Sequence, residues 1–516
     1  MKLCSQPLFA PVLIVCALGG LVQSFSTFQW PNPLLSYADQ QLYEGPLEVL
    51  AEGCPPRDNS TIPAQWLRIA YHDMSTHNVD DGTGGLDASI QYELDRSQNV
   101  GEGMLDSLND FNGFGIVSPF FGMADVIALG AVLAVAGCGG PFVPFSAGRV
   151  DATEAGPPTV PEPQQDLASH TESFRRQGFT PTEMIALVAC GHTLGGVRQV
   201  DFPLVVTDNS TILQTFDTTP AFDTAVVSEY LQNTTQNPLV VGPNVTTRSD
   251  FRIFSSDGNV TMQSLLSPAN FNQTCSSLFE RMLNTVPSNV NLTDPITEPF
   301  DYLVMNNNPS RTVTLLWADR QESFCPSSGC SQQSNGTQNV FFTIIGQMQG
   351  VTALRYQFNA TINATSSISK FWFEVNENDG SEPIVVDNGG AGFVVEQDSV
   401  FVDVARSELV LVESGGEFDE FIKLVVAVRG DGASTSASVT SFSPSLSGNP
   451  PFTPTINTTD LQLDASNPPE GGYTFFTMNT TFLVTFLDVT GTSSSGTVTQ
   501  KNFDMTANNF PFVLIS

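Results

Sequence analysis

The chain is expected to be a mainly α N-terminal domain followed by an all-β, sandwich-like C-terminal domain. Three observations predict this division. Between about residues 40 and 286 several windows carry helix-like apolar runs with start and stop signals. After about Pro287 the texture changes to short Val-, Phe-, Thr- and Ile-rich segments divided by Gly, Asn, Ser and Pro turns. At 516 residues the chain is long enough for two or more cores.

The N-terminus has the order of a secretory signal. Lys2 precedes the apolar run "PLFAPVLIVCALGGLV", and small and polar residues follow at Ser24 to Thr27. Residues 1–25 are therefore expected to be removed, leaving domains at 26–288 and 289–516 and a secreted, extracellular protein. No later stretch reaches the length and apolarity of a membrane span, so no membrane is expected as a partner after cleavage. About a dozen N-x-[ST] sequons, including Asn59, Asn209, Asn233, Asn244, Asn272, Asn359 and Asn479, agree with a glycoprotein. Six cysteines remain after Cys4 and Cys16 leave, an even number suited to an oxidising compartment. Cys325 and Cys330 can close the small loop "CPSSGC"; the pairing of Cys54, Cys138, Cys190 and Cys275 stays open. A net charge of −34 and a pI near 4.1 argue against nucleic acid as a partner.

Within the first domain the windows "PAQWLRIAYHD", "GMADVIALGAVLAVAG", "TPTEMIALVACGHTLGG", "FDTAVVSEYLQ" and "TCSSLFERMLNTV" are expected to be helices. In the second, Asp125 stands near the start and "GCGG" supplies a stop. In the third, Thr180 can cap, Pro181 fits the first turn, and Glu183 sits three residues after the cap. Long Gly-, Pro- and Asp-rich loops separate these helices, and loops of that kind carry function. In the second domain "NVFFTIIGQ", "ALRYQFNAT", "KFWFEVNE", "EFIKLVVAVRG" and "YTFFTMNTTFLVTFLDV" read as strands.

The chemistry concentrates in two windows. Arg68 and His72 lie four residues apart, so on a helix they share one face. A neutral imidazole beside a permanent cation suits peroxide cleavage: the base moves a proton from one oxygen to the other, and the cation stabilises the developing charge. The bland alternative is an exposed polar pair. His192 ends an otherwise apolar helix and can face a buried cofactor as a metal ligand, or simply sit at a helix C-terminus.

Taken together the windows resemble the plant, fungal and bacterial haem peroxidase superfamily, over roughly residues 40–286. Arg68, Tyr71 and His72 match the distal R-x-x-[FW]-H, and Asn99 in "NVGEG" matches the distal asparagine, with Glu93 placed as in the secreted fungal members. His192 matches the haem-ligating histidine and Asp250 in "TTRSDFRIF" the aspartate that accepts its hydrogen bond. "ADVIALGAVLAV", "AGRVDA" and "PEP" follow as landmarks in order. The resemblance implies haem b, hydrogen peroxide and a small reducing substrate. It also implies two calcium ions, one held by Asp73, Gly85, Asp87 and Ser89, the other by Thr193, Asp217, Thr219 and Asp223, oxygen sets suited to a hard cation.

Departures from the family pattern carry expectations of their own. Tyr71 stands where Phe or Trp is usual, which would put a phenol over the haem. Cys190 lies two residues before the proximal histidine. "NSTIPAQ" occupies the position of the manganese-binding carboxylates, and Leu187 that of the surface tryptophan of lignin-oxidising relatives. His77 and His170 match no family role and read as exposed loop histidines. A competing reading is a catalytically idle cell-wall or matrix-binding glycoprotein built on the same fold; a calcium-dependent binding module is a third. For residues 289–516, extracellular polysaccharide or cell wall is the partner suggested by architecture.

Overall fold

The computed structural model describes residues 32–300, 310–320, 330–414, 417–430, 434–445, 448–506, 508 and 510–515. The expected signal segment 1–25 and Cys325 lie outside the described residues. The helical half contains α1 (Pro33–Glu44), α2 (Ile62–Met74), α3 (Glu102–Gly113), α4 (Met123–Gly137), α5 (Leu167–Arg176) and α6 (Pro181–Gly191). It continues through α7 (Ala225–Gln232), α8 (Pro238–Val241), α9 (Ser249–Phe254), α10 (Val260–Ser264) and α11 (Pro268–Leu283).

Helix α4 is apolar on every side, and buried from Met123 to Ala136. A helix of that kind belongs in the middle of a core. Its start is fixed by two carboxylates. Asp151 accepts from the Met123 and Ala124 amides, both at 2.8 Å. Asp125 takes the Gly148 and Arg149 amides and pairs with the Arg149 guanidinium at 2.9 Å. Arg149 also donates to the Leu283 carbonyl at the end of α11, so "AGRVDA" ties two helix ends together. At mid-helix, a side chain on Gly130 would strike the Phe111 ring of α3, which accounts for a glycine where helix propensity disfavours one.

Helices α2 and α6 lie against this core. Thr61 caps α2 through the Ala64 amide, and Pro63 fits its first turn. At α6 Thr180 and Glu183 form the expected capping box. Two disulfides close the open pairing: Cys54–Cys138 reaches the end of α4, and Cys190–Cys275 joins α6 to α11. Cys330 is also disulfide-bonded.

The C-terminal half is strand-rich, as expected. A five-stranded sheet centres on Thr312–Ala318 and Lys370–Asn376, which pair antiparallel. Beyond it, a six-stranded sheet built on Glu417–Arg429 and a four-stranded sheet built on Ser436–Ser443 share one core. Val400, Leu424, Val426 and Phe476 from the first sheet meet Val439, Leu487 and Val489 from the second, which is a sandwich arrangement.

One expected strand is corrected. "NVFFTIIGQ" holds a short helix, α12 (Ile344–Met348), rather than a strand. Thr343 donates its amide to the Tyr43 carbonyl and its hydroxyl to the Leu42 carbonyl, while the Ile344 amide meets Glu48 Oε1. Docking on α1 and the turn after it therefore overrides β propensity here, and Ile345 joins the helical core.

Candidate active site

A cavity of about 760 Å³ opens between α2 and α6. Arg68 and His72 line it from α2 and His192 lines it from the end of α6; Leu187, Phe202 and Phe216 supply apolar wall. The two chemistry-bearing windows thus meet around one space.

On the α2 side, His72 Nδ1 lies 2.8 Å from Asn99 Oδ1. The buried Asn99 donates its own Nδ2 to the Glu93 carbonyl at 3.0 Å, which leaves Oδ1 as the atom turned to the histidine. Oδ1 can only accept, so Nδ1 carries the proton and Nε2 keeps its lone pair. Burial, aided by the Arg68 charge, pushes the His72 imidazole down to about 3, against the opposing pull of the Asn99 hydrogen bond. The imidazole is therefore neutral through the ordinary pH range. Arg68 donates to the Gln98 and Val100 carbonyls at 3.4 and 3.2 Å and lies over the Phe202 ring. Burial lowers its guanidinium to about 10, with Asp201 pulling the other way, and it stays cationic.

On the α6 side, His192 follows the last helical residue, and its amide closes the final turn onto the Val188 carbonyl. Its Nδ1 lies 2.8 Å from Asp250 Oδ2, in the first turn of α9. The same oxygen accepts Asn237 Nδ2 at 2.8 Å, and Ser249 donates to Oδ1 at 3.2 Å. Asp250 is buried. Phe216 stacks on the imidazole at 4.2 Å between centroids and 14° between planes, which holds the ring in one orientation.

The residues expected to bind cations also come together in two groups. Asp73 is buried; its Oδ2 accepts the Ala88 amide at 2.7 Å, and its Oδ1 the Ile90 amide at 2.9 Å and the Ser89 hydroxyl at 3.4 Å. Asp87 accepts the Ser89 amide, and the Gly85 carbonyl faces Thr76. Burial and the neighbouring Asp87 hold the Asp73 carboxyl well above the usual carboxylate range. In the second group the Thr193 hydroxyl donates to the Asp223 carbonyl at 2.7 Å, and Thr219 donates to Asp223 Oδ2 at 3.0 Å. Asp217 Oδ1 takes the Thr219 amide, but its buried Oδ2 has no hydrogen-bond partner. Burial pushes the Asp217 carboxyl up to about 7. Among the described residues no group of three or more His, Cys, Asp or Glu is placed to hold a metal; each of these sets has two carboxylates completed by carbonyls and hydroxyls.

One expectation is corrected. His170 is buried on α5, not exposed on a loop: with Phe174 one turn on, it faces the cavity, and its ring Nε2 meets the Glu162 carbonyl at 3.1 Å. Tyr71 borders the cavity edge-on to His72, but its ring stacks on Phe174. The phenol is thus directed to the α5 side. His77 is half-buried on a loop, with Nδ1 2.9 Å from the Gly84 carbonyl. Leu187 is buried and cannot serve as a surface electron-transfer point. Sequence reasoning missed Asn237 and Phe216, whose roles arise from chain segments meeting in space and leave no local pattern.

Comparison with known proteins agrees with this geometry. Residues 53–267 match the peroxidase family model. The chain is 41% identical over 243 residues to a WSC domain-containing protein of Arthroderma benhamiae, covering 45% of this chain and 33% of that protein. It is 36% identical over 134 residues to a putative L-ascorbate peroxidase 6 of Arabidopsis thaliana, covering 25% and 40%. It is 32% identical over 160 residues to a mitochondrial cytochrome c peroxidase of Yarrowia lipolytica, covering 30% and 46%. The chain therefore spans about a third to a half of the length of these relatives. The peroxidase match thus falls in the N-terminal half, over residues 53–267, and a β-rich region follows it.

Proposed function

We propose that the protein is a secreted haem peroxidase that reduces hydrogen peroxide while oxidising small organic donors of phenolic type in one-electron steps. One observation carries the reading: a single cavity is lined by the His72–Asn99 pair with Arg68 and by the His192–Asp250 pair. The domains are read as 26–288 for the peroxidase and 289–516 for the β-rich region, which we assign on architecture to contact with extracellular polysaccharide or cell wall. Exposed sequons at Asn59, Asn209, Asn233, Asn359 and Asn479, and the disulfides, support secretion of a glycoprotein.

The residues fit haem b. The cavity is roomy, apolar over much of its wall, and presents one histidine whose Nε2 lone pair is kept free by the hydrogen bond at Nδ1. His192 would hold the iron, and Asp250 would strengthen its donor character by accepting the ring N–H. When bound, the haem would supply a redox centre that stores the two oxidising equivalents of the peroxide and releases them singly. The chain's own residues handle protons and charge. His72 Nε2 takes the proton of the inner peroxide oxygen and returns it to the outer one, which leaves as water. Arg68 stabilises the negative charge that develops on the departing oxygen. Asn99 keeps the His72 tautomer and orientation fixed.

The two oxygen-rich groups fit calcium. A buried Asp217 oxygen without a partner, and an Asp73 carboxyl whose charge burial opposes, are both relieved by a divalent cation beside them. We assign Asp73, Gly85, Asp87 and Ser89 to the ion behind α2, and Thr193, Asp217, Thr219 and Asp223 to the ion beside His192.

The test is an absorption spectrum followed by turnover. A Soret band that changes on adding peroxide, with phenol, aromatic amine, Mn(II) or ascorbate oxidation lost in His72→Ala, supports the enzyme. Purified protein that cannot be loaded with haem would favour the idle binding glycoprotein instead.

A further inference from the structure

The sequon Asn244-Val245-Thr246 stands on the rim of the cavity: Asn244 and Thr246 both line it, and Thr246 is exposed. It lies between α8 and α9, where Asn244 caps the short turn Val245–Thr247. Asn244 Oδ1 accepts the Thr246 amide at 3.2 Å and also the Thr246 hydroxyl. Its Nδ2 donates to the Leu204 carbonyl at 3.2 Å, a contact made at the surface. A side-chain amide carries two N–H groups, and the second meets no acceptor among the described residues. The sequon nitrogen is therefore held on the rim while one N–H stays available. Apolar surface adjoins it: Val245 is 68% exposed and Leu204 71%, and Pro203 is exposed beside Leu204. Apolar side chains gathered at an opening mark surface that something covers. A sugar chain on Asn244 would be bulky and solubilising at that place.

We propose that Asn244 carries an N-linked glycan that overhangs the cavity mouth, shields Val245 and Leu204, and limits by size the reducing substrates that enter. The bond formed joins Asn244 Nδ2 to the anomeric carbon of a lipid-diphosphate-linked oligosaccharide. The bond from that carbon to the diphosphate oxygen breaks, the diphosphate leaves with the electron pair, and one amide proton is lost. The remaining N–H keeps the contact with the Leu204 carbonyl. The proposal rests on the secretion reading for its glycan and on the peroxidase reading for its substrate: small phenols pass the glycan, and phenols borne on a polymer do not.

The full chain is secreted from a glycosylating eukaryotic host, and glycopeptide mass spectrometry reads the occupancy of Asn244. Entry to the cavity is followed by stopped flow with a small fluorescent phenol, free and linked to a large dextran, on the chain loaded with haem. The free phenol should enter wild type and Asn244→Gln at the same rate. The dextran-linked phenol should enter Asn244→Gln about ten-fold or more faster than wild type, within the span over which association rates at one site vary among variants. Thr246→Ser, which keeps the sequon, should match wild type, as should Asn479→Gln, which removes an exposed sequon in the β-rich half. Should Asn244→Gln fail to fold, Thr246→Ala removes the same sequon and decides the question. An unmodified Asn244 in a chain whose other sequons are occupied overturns the proposal and leaves the secretion reading standing. A chain with no glycan anywhere overturns both. An occupied Asn244 whose removal leaves the dextran-linked phenol no faster overturns the size limit. None of these readouts needs peroxide turnover, so they fail separately from the Soret test of the peroxidase reading.

Discussion

His192 Nδ1 and Asp250 Oδ2 lie 2.8 Å apart although 58 residues separate them in sequence, and Asn237 donates to the same oxygen at the same distance. The aspartate is thus shared between the ring it polarises and an amide that fixes its position. Asp250→Asn should leave the fold intact but weaken the donor character of His192. Expected outcomes are a higher haem reduction potential and roughly 10–100-fold weaker haem retention or turnover, measured by spectroelectrochemistry and haem transfer. Asn237→Leu should give a smaller change in the same direction. An unchanged potential in Asp250→Asn would remove the aspartate from its assigned role.

The His72 imidazole, pushed down to about 3, gives a pH prediction with a definite sign. The base acts when unprotonated, so the rate of reaction with peroxide should stay level from neutral pH into acid and fall as pH drops through about 3. Stability follows the same group. An unfolded histidine titrates near 6.5. The unfolded chain therefore binds a proton that folded His72 refuses, and this contribution to stability is lost as pH falls from about 6.5 toward 3. Arg68→Leu removes a cation that depresses the imidazole. It should move the acid limb to higher pH while slowing the reaction, and stopped-flow spectra across pH check both.

How far the sequence was legible depends on whether a feature is local. Thr180 and Glu183 announce the start of α6 because capping is decided within four residues. Arg68 and His72 could be placed on one face because helical spacing does that work. Asn237 could not, since its contact with Asp250 exists only where α8 and α9 come together. His170 read as a loop residue because α5 is largely polar, yet one turn of it turns His170 and Phe174 inward. "NVFFTIIGQ" has strand composition, but acceptors on α1 and the turn after it capture Thr343 and Ile344 and wind it into a helix.

Calcium removal should weaken the side that holds His192. Thr193, the residue after the histidine, shares hydrogen bonds with Asp223, so the cation group and the end of α6 are one unit. Dialysis against a chelator should lower the thermal midpoint and loosen the Soret spectrum, with recovery on adding calcium. At calcium about 100-fold above its Kd the stabilisation is about 2.7 kcal/mol per site. Asp217→Ala should remove the spectral response to chelation, while Asp73→Asn should affect the peroxide reaction through α2. A protein whose melting and spectrum ignore both chelator and calcium would exclude the assigned sites.

The β-rich half is packed against the helical half rather than strung behind it. Phe486, from the four-stranded sheet, meets the Tyr37 ring of α1 edge-on at 5.6 Å, and Phe120 contacts both. Phe442 and Phe452 join the same core, and the Phe452 amide donates to Gln91 Oε1 at 3.0 Å. Buried Phe→Ala changes typically cost about 3–5 kcal/mol, from lost transfer energy and the cavity left behind. Phe486→Ala should therefore lower the unfolding of both halves together, so that loss of the Soret band and loss of β-sheet signal keep one shared midpoint several degrees below wild type. Phe486→Asp, which adds an unpaired charge to that contact, should separate the two transitions. If Phe486→Ala shifts the β-sheet signal and leaves the Soret midpoint where it was, the halves are energetically independent and this coupling does not exist.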